Sequence, residues 1–241
     1  MIKYNTPQEL FTAICDKIRD KTNSNELINH QDIPDKINKL TNNDIKLFID
    51  SAIQGKNTTC YSFNNTTITE ISSEIFSMTN VTTVDLPKCT SICCIMAFFA
   101  CTNLTTINLP KCTYIGGEAF ASCKNLTTIN LPECTSIGDS AFSNCTNLTT
   151  VNLPKCTYIE CEAFRNCTNL TTIILSNNQV AYVDVNVFGM TPIAANGVGY
   201  VYVPDNLVDS YKTATTWSKY ANQIKPISEL PSELKEEYGY E

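Results

Sequence analysis

Cys89, Cys112, Cys134 and Cys156 form one column at intervals of 22 or 23 residues, and Cys101, Cys123, Cys145 and Cys167 form a second at intervals of 22. Thiols in such numbers can hold zinc or pair as disulfides. The regular spacing argues against both. Equivalent residues of stacked repeats lie about 4.8 Å apart and point the same way, so four sulfurs form a line and cannot converge on a tetrahedral ion. A disulfide between neighbouring repeats would need one side chain to turn toward the next. The expectation is free thiols acting as small buried hydrophobes. Cys94 and Cys161 read as a third column, with Gly and Asp in the repeats between. Cys93 and Cys94 adjoin a one-residue insertion.

Other reactive residues are sparse. His30 is the only histidine, in a polar stretch. No nucleophile elbow, zinc-protease helix or phosphate loop occurs, so neither catalysis nor a cofactor is expected. The sequence N-x-T recurs at Asn80, Asn103, Asn125, Asn147 and Asn169. It is the by-product of one repeated motif, in which an Asn before a strand can bond turn backbone.

The elements that position these residues are repeats. CTNLTTINLPKCTYIGGEAFAS (101–122) returns as CKNLTTINLPECTSIGDSAFSN (123–144) and CTNLTTVNLPKCTYIECEAFRN (145–166). A fourth copy starts at Cys167 and decays. An earlier copy over 78–100 is one residue longer, with the extra residue between Ile92 and Ala97. A half-copy spans 66–77. A period near 22 marks a solenoid, in which each unit buries its apolar face only by stacking on its neighbours.

Leu104, Ile107 and Leu109 follow the L-x-x-I-x-L strand pattern, and Ile115, Ala119 and Phe120 form a second apolar set. Phe98, Phe120, Phe142 and Phe164 should form a buried spine. Pro110, Pro132 and Pro154 end the first strand. With Ile107 and Leu109 inward, alternation turns Thr106 and Asn108 outward, and likewise Thr128, Asn130, Thr150 and Asn152. This row of small hydrogen-bonding side chains suits polar ligands such as glycans, and Thr also simply suits an exposed strand. Tyr114 and Tyr158 alternate with Ser91 and Ser136 in another column. Variation inside near-identical repeats marks exposed positions, and Tyr is a frequent interface anchor.

The chain divides into an N-terminal helical module (1–43), a repeat region (44–178) and a C-terminal cap with an acidic tail (179–241). T-P-Q-E at 6–9 reads as a capping box opening a helix with Leu10, Phe11, Ile14 and Ile18 on one face. Trp217, Tyr220 and Ile224 sit at helical spacing, as on a helix packed over the last rung. Net charge is −7, from 24 acidic and 17 basic residues. Without a block of Lys and Arg, no nucleic-acid or polybasic membrane contact is expected. No apolar run is long enough to span a bilayer, and the start of the chain shows no export signal.

The run L-T-T-I-N-L-P-x-C-T-x-I-G-x-x-A-F-x-x-C over about 65–178 resembles the BspA-like class of leucine-rich repeat. GYVYVPDNLVDSYKTATTWSKYANQIKPIS (199–228) looks like the cap that ends such arrays. The resemblance implies a mostly β, right-handed solenoid of parallel strands with a small N-terminal helical module and a C-terminal α/β cap. It implies binding without catalysis, at cell or virion surfaces. Residues 10–37 are similar to a helical module of phage and prophage tail or fibre proteins. That second resemblance implies a virion structural or host-attachment protein, carrying a host-surface glycan or protein as ligand and other virion proteins as partners. The alternative is a bacterial cell-surface adhesin. Residues 1–43 are too few to stand alone, and self-association through them into a homo-oligomer is expected, the alternative being that these helices cap the first rung.

Overall fold

A computed structural model describes residues 61–64, 68–71, 77, 81–195 and 197–241. The N-terminal helical module and its capping box therefore lie outside the described residues. Among the described residues the strands are short and pair in parallel as a stack.

Each rung contributes two strands. One series comprises β1 (Tyr61–Asn64), β3 (Val81–Asp85), β5 (Thr106–Asn108), β7 (Thr128–Asn130), β9 (Thr150–Asn152) and β11 (Thr172–Ile174). The other comprises β2 (Glu70–Ile71), β4 (Ser91–Ile92), β6 (Tyr114–Ile115), β8 (Ser136–Ile137), β10 (Tyr158–Ile159) and β12 (Tyr182–Val183). The second series forms one continuous six-stranded sheet from β2 to β12. The first is interrupted: β1-β3-β5 is one sheet, and β7-β9-β11 continues into β13 (Tyr200–Val203) and β14 (Ile224–Pro226) as another. β5 and β7 are stacked without strand pairing, and Ile107 beside the gap keeps 9% exposure where Ile129 has none.

A third line of hydrogen bonds runs along the Ala-Phe segment. Phe98 N–H donates to Ala119 O at 2.7 Å, Phe120 to Ala141 O at 2.8 Å, Phe142 to Ala163 O at 2.9 Å and Phe164 to Val187 O at 3.0 Å. Each of these bonds runs from the earlier rung to the later one, opposite to Thr149 N–H on Thr127 O in the strand series. The turn flanking each Phe needs two residues in the left-handed region. They are Glu118 and Ser122 in one rung, Ser140 and Asn144 in the next, and Glu162 and Asn166 after that, with φ between 52° and 63°. None is glycine, so each rung carries backbone strain that its neighbours must hold.

The core is columnar. Leu104, Leu126, Leu148 and Leu170 are fully buried, as are Ile115, Ile137 and Ile159. The Phe rings stack face to face, with centroids 5.0, 5.4 and 5.6 Å apart from Phe98 to Phe164 and tilts of no more than 3°. Phe188 extends the column at 6.2 Å. The extra residue of the 78–100 copy falls where expected. Ile92 pairs with Ile115, while Met96 N–H already bonds Gly117 O. Three residues, Cys93, Cys94 and Ile95, thus fill a slot that Gly116 and Gly117 fill in the next rung. It is Ile95, not Cys94, that falls in line with Gly117, Asp139 and Cys161, and it is pushed out to 59% exposure.

The array also runs past 178. β12 pairs with β10 and β13 with β11, through a longer last rung that includes α1 (Pro192–Ala195). The cap then closes the stack with α2 (Val208–Thr213) and a 3₁₀ turn over Ser218–Gln223. Trp217 and Tyr211 are fully buried against the last rung. Trp217 Nε1 donates to Ala181 O at 2.6 Å, and Ala181 N–H donates to Tyr211 Oη at 3.0 Å. Two aromatic side chains thus satisfy backbone groups that another rung would otherwise pair. Pro226 in the terminal strand β14 removes a donor from the sheet edge.

Two stability effects follow. Phe142→Ala should lower unfolding free energy by about 3–5 kcal/mol in chemical denaturation, the range for a buried aromatic. Ser122→Gly should raise it by about 0.5–1 kcal/mol, because relief of the left-handed strain exceeds the added entropy of the unfolded glycine.

Candidate binding faces

Two outward faces carry the residues singled out by the sequence. On the strand series β3–β11, Thr106, Asn108, Thr128 and Asn130 are exposed, each flanking an inward Ile. Thr150 and Asn152 are not on the open face. Their exposure is 8% and 4%, because the C-terminal segment packs over β9, β11 and β13. Ile174 and Tyr202 stand in the outward column of Asn130 and Asn152, and they form an apolar cluster with Leu230, to which Leu234, Tyr238 and Tyr240 add. α3 (Ser232–Tyr238) carries Leu234 and Tyr238 to this seat. Tyr240 Oη donates to Asn152 Oδ1 at 2.8 Å and lies 3.0 Å from Ser176 Oγ. The open polar face is therefore limited to the first rungs.

The polar residues of this face also hold the stack together. Asn108 Nδ2 donates to Asp85 Oδ1 at 2.7 Å, and Asn152 Nδ2 to Asn130 Oδ1 at 3.0 Å. On the other series, just before β6, β8 and β10, the hydroxyls of Thr113, Thr135 and Thr157 each donate to a Thr carbonyl one rung back, at 3.0–3.2 Å. At the turn after the Phe column, Asn166 Nδ2 reaches Asn144 Oδ1. The Asn of the N-x-T motif is exposed at 125, 147 and 169.

The second face is the outer side of the β2–β12 sheet. Register places Ser91, Tyr114, Ser136, Tyr158 and Tyr182 in one row. Tyr114 is half-buried, while Tyr158 is 39% and Tyr182 47% exposed. Tyr158 and Tyr182 stack with ring centroids 5.1 Å apart. Sequence reading missed Tyr182 because the longer last rung shifts it off the 22-residue spacing. The signal was present in the Tyr-Val pair of A-Y-V-D, which matches Tyr-Ile in the earlier rungs.

Two residues after each tyrosine, hence on the same side, come Gly116, Glu160 and Asp184, with Gly138 following Ser136. A Cβ on Gly138 would lie 2.8 Å from the Gly117 nitrogen, so the first rungs are too close there for a side chain. Glu160 Oε2 accepts from Asp139 N–H at 2.9 Å, and Asp184 Oδ1 accepts from Val185 N–H at 2.7 Å. Burial, followed by the Glu160 charge, pushes the Tyr114 phenol upward. Burial, followed by Asp184, Tyr182 and Glu160, does the same at Tyr158.

The cysteine columns are inward. Among the described residues all eleven cysteines are free, and the eight in the two columns are buried. Each column satisfies its thiols on backbone carbonyls. Cys112, Cys134 and Cys156 donate to the carbonyl two residues on, at 3.2–3.4 Å. Cys123, Cys145 and Cys167 donate to the Phe carbonyl of the preceding rung, at 3.1–3.2 Å. Burial pushes Cys156 and Cys167 up to about 12 and Cys134 and Cys145 upward as well. Cys93 is exposed and donates to Glu70 Oε1 at 2.8 Å.

These stacked strands and columns define a leucine-rich-repeat solenoid. The chain belongs to the BspA-type leucine-rich repeat family, whose repeat-region model matches residues 16–133 and 95–197. That match begins inside the segment assigned above to the helical module. No curated protein matches the chain. Among solved structures, a leucine-rich cell surface protein of Faecalibacterium prausnitzii is similar at 29% identity and TM-score 0.53, over 66% of this chain and 41% of that one. A leucine-rich repeat protein of Bacteroides ovatus is similar at 20% identity and TM-score 0.50, over 70% and 42%. The pneumococcal vaccine antigen PcpA is similar at 15% identity and TM-score 0.53, over 70% and 41%. The similarity thus spans about two fifths of each of those chains.

The thiol environment generates a pH prediction. An ordinary thiol titrates near 9.0, whereas burial in the folded chain pushes Cys156 and Cys167 up to about 12. Below pH 9 the proton is bound in both states and stability is unaffected. As pH rises from 9 toward 12 only the unfolded chain ionises, so stability is lost through that window. Urea midpoints should be flat up to about pH 8.5 and fall steadily above it. In the same series, native protein should react slowly with a thiol reagent, and unfolded protein should yield nearly all 13 cysteines without reductant.

Proposed function

We propose that this chain is a non-enzymatic binding module of a surface-displayed protein, with a host-surface glycan or protein as its ligand. The observation that carries the reading is membership of the BspA-type repeat family, together with the likeness to a protein described as a leucine-rich cell surface protein. The geometry agrees with it. The stack offers two ordered outer faces, a short one lined by Thr and Asn on the first rungs and a longer one lined by Tyr, Ser and carboxylates. The buried, high-pKa thiols suit display outside the cell, because the thiolate is the reactive form and these sites withhold it.

The phage-tail reading rests on residues 10–37, which lie outside the described residues, and no comparison supports it. Self-association through the N-terminal segment remains part of the proposal, and native mass spectrometry of the full chain tests it: a monomer would remove it.

The binding reading is tested with a glycan array and a panel of whole cells, using the full chain. Saturable binding is expected. Thr106→Lys/Thr128→Lys should weaken it about tenfold if the polar face is the contact, the loss expected for disrupting an interface centre. Unchanged affinity would move the contact to the tyrosine face. No binding to any glycan or cell would overturn the reading.

A further inference from the structure

The tyrosine face has a feature that its row of residues does not announce. Ser136 stands between Tyr114 and Tyr158, each one strand away. The two ring columns are therefore separated by two strand spacings, about 9.6 Å. Ser136 puts only a small side chain into the space between the rings, and beside it the backbone of Gly116 and Gly117 closes over Gly138. Glu160 leans back across it, since its Oε2 is held by Asp139 N–H of the Ser136 rung. The result is a slot one rung wide, with an aromatic wall on each side and a fixed carboxylate at the mouth.

We propose that this slot is a docking site for an arginine side chain of a partner protein. Two aromatic faces and a carboxylate together match a flat cation better than any other common side chain. A guanidinium stacks on tyrosine while its N–H fork meets a carboxylate. Charge complementarity points the same way. Glu160 and Asp184 follow the tyrosines on two adjacent rungs. Among nearby cations, Lys155 is engaged by Glu133 at 2.7 Å and Arg165 by Glu162 at 2.8 Å. Lys111, three residues before Tyr114, precedes the strand, whereas the carboxylates follow it. An anionic glycan would meet Glu160 unfavourably. Beyond the slot, the exposed Tyr158–Tyr182 stack and Asp184 offer a second aromatic-carboxylate pair one rung on, so a partner segment with several basic residues gains two contacts.

The inference rests on the binding-module reading and identifies the chemistry of one face. The probes are a fluorescent Gly-Arg-Gly-Arg-Gly peptide and the same peptide with lysine or with citrulline, the neutral planar analogue of arginine. All are titrated against the full chain by anisotropy. Ser136→Tyr fills the slot with a residue that the same column already accepts at Tyr114 and Tyr158, so folding is preserved. Glu160→Gln keeps the bond from Asp139 N–H and removes the charge. Glu236→Gln on α3 removes one charge at a distant exposed site. The arginine peptide should bind more tightly than both analogues. Ser136→Tyr and Glu160→Gln should each weaken it about tenfold, and Glu236→Gln should leave it unchanged.

Equal affinity for arginine and lysine peptides, an equal loss in Glu236→Gln, or no loss in Ser136→Tyr would overturn the slot. So would binding of a neutral oligosaccharide that Ser136→Tyr abolishes while the arginine peptide remains indifferent. Cell binding that survives in Ser136→Tyr would also count against the slot, and would leave the module reading intact. Slot-dependent peptide binding by a chain that binds no cell would uphold the slot and overturn the module reading.

Discussion

No rung of this protein can fold alone, and each is held because its backbone meets the next rung along more than one line of hydrogen bonds. A 22-residue loop of chain buries too little surface to offset the entropy of ordering it. Two strand series and the Ala-Phe segment must therefore reach the same height at once. That demand fixes most of the sequence. It explains why the turns around each Phe tolerate left-handed Glu, Ser and Asn, since the bonds on either side leave the turn no other course. It also explains why Thr hydroxyls return to carbonyls one rung back, where they tie neighbouring rungs in the same direction as the strands.

Cysteine fits the same demand. Both columns are fully buried, and their thiols meet inward-facing carbonyls. Valine fills the space without a donor, and serine carries a stronger donor into an apolar site at a higher desolvation cost. A thiol is small, apolar and a weak donor. Its bond to the Phe carbonyl of the previous rung links the core column to the backbone ladder. Burial also pushes Cys156 and Cys167 up to about 12, so those thiols withhold the reactive thiolate.

Much of this was legible because repetition turns one rung into several readings of the same structure. The Leu, Ile and Phe columns, the outward Thr and Asn, and the site of the insertion after Ile92 were all evident from register. The identity of the residue in line with Cys161 was not, because one extra residue in a three-residue bulge can be placed in more than one way. The break between β5 and β7 was invisible, since both rungs read T-T-I-N-L and differ only in their surroundings. The covering of Thr150 and Asn152 was hidden for another reason. Tyr240 lies 88 residues from Asn152, in a tail that belongs to no repeat. One local clue existed: the outward column changes from Asn at 130 and 152 to Ile174 and then Tyr202, which marks a face that expects cover.

That change divides the outer surface of the first series into an open part and a covered part. Where the outward column is polar, the face is open and its Asn side chains pair along the stack. Where it turns apolar, the chain's own C-terminus takes the seat, while Trp217 and Tyr211 complete the backbone groups of the last rung. Among the described residues the C-terminal segment covers only the first series, and Tyr158 and Tyr182 on the second sheet are exposed. It is one continuous sheet from β2 to β12, so its outer row is held in register across the place where the other series is interrupted. A partner that reads spacing between side chains needs that continuity. The variation from Ser to Tyr along the row is then free to set chemistry without disturbing the fold, because every residue in it faces away from the ladder that positions it.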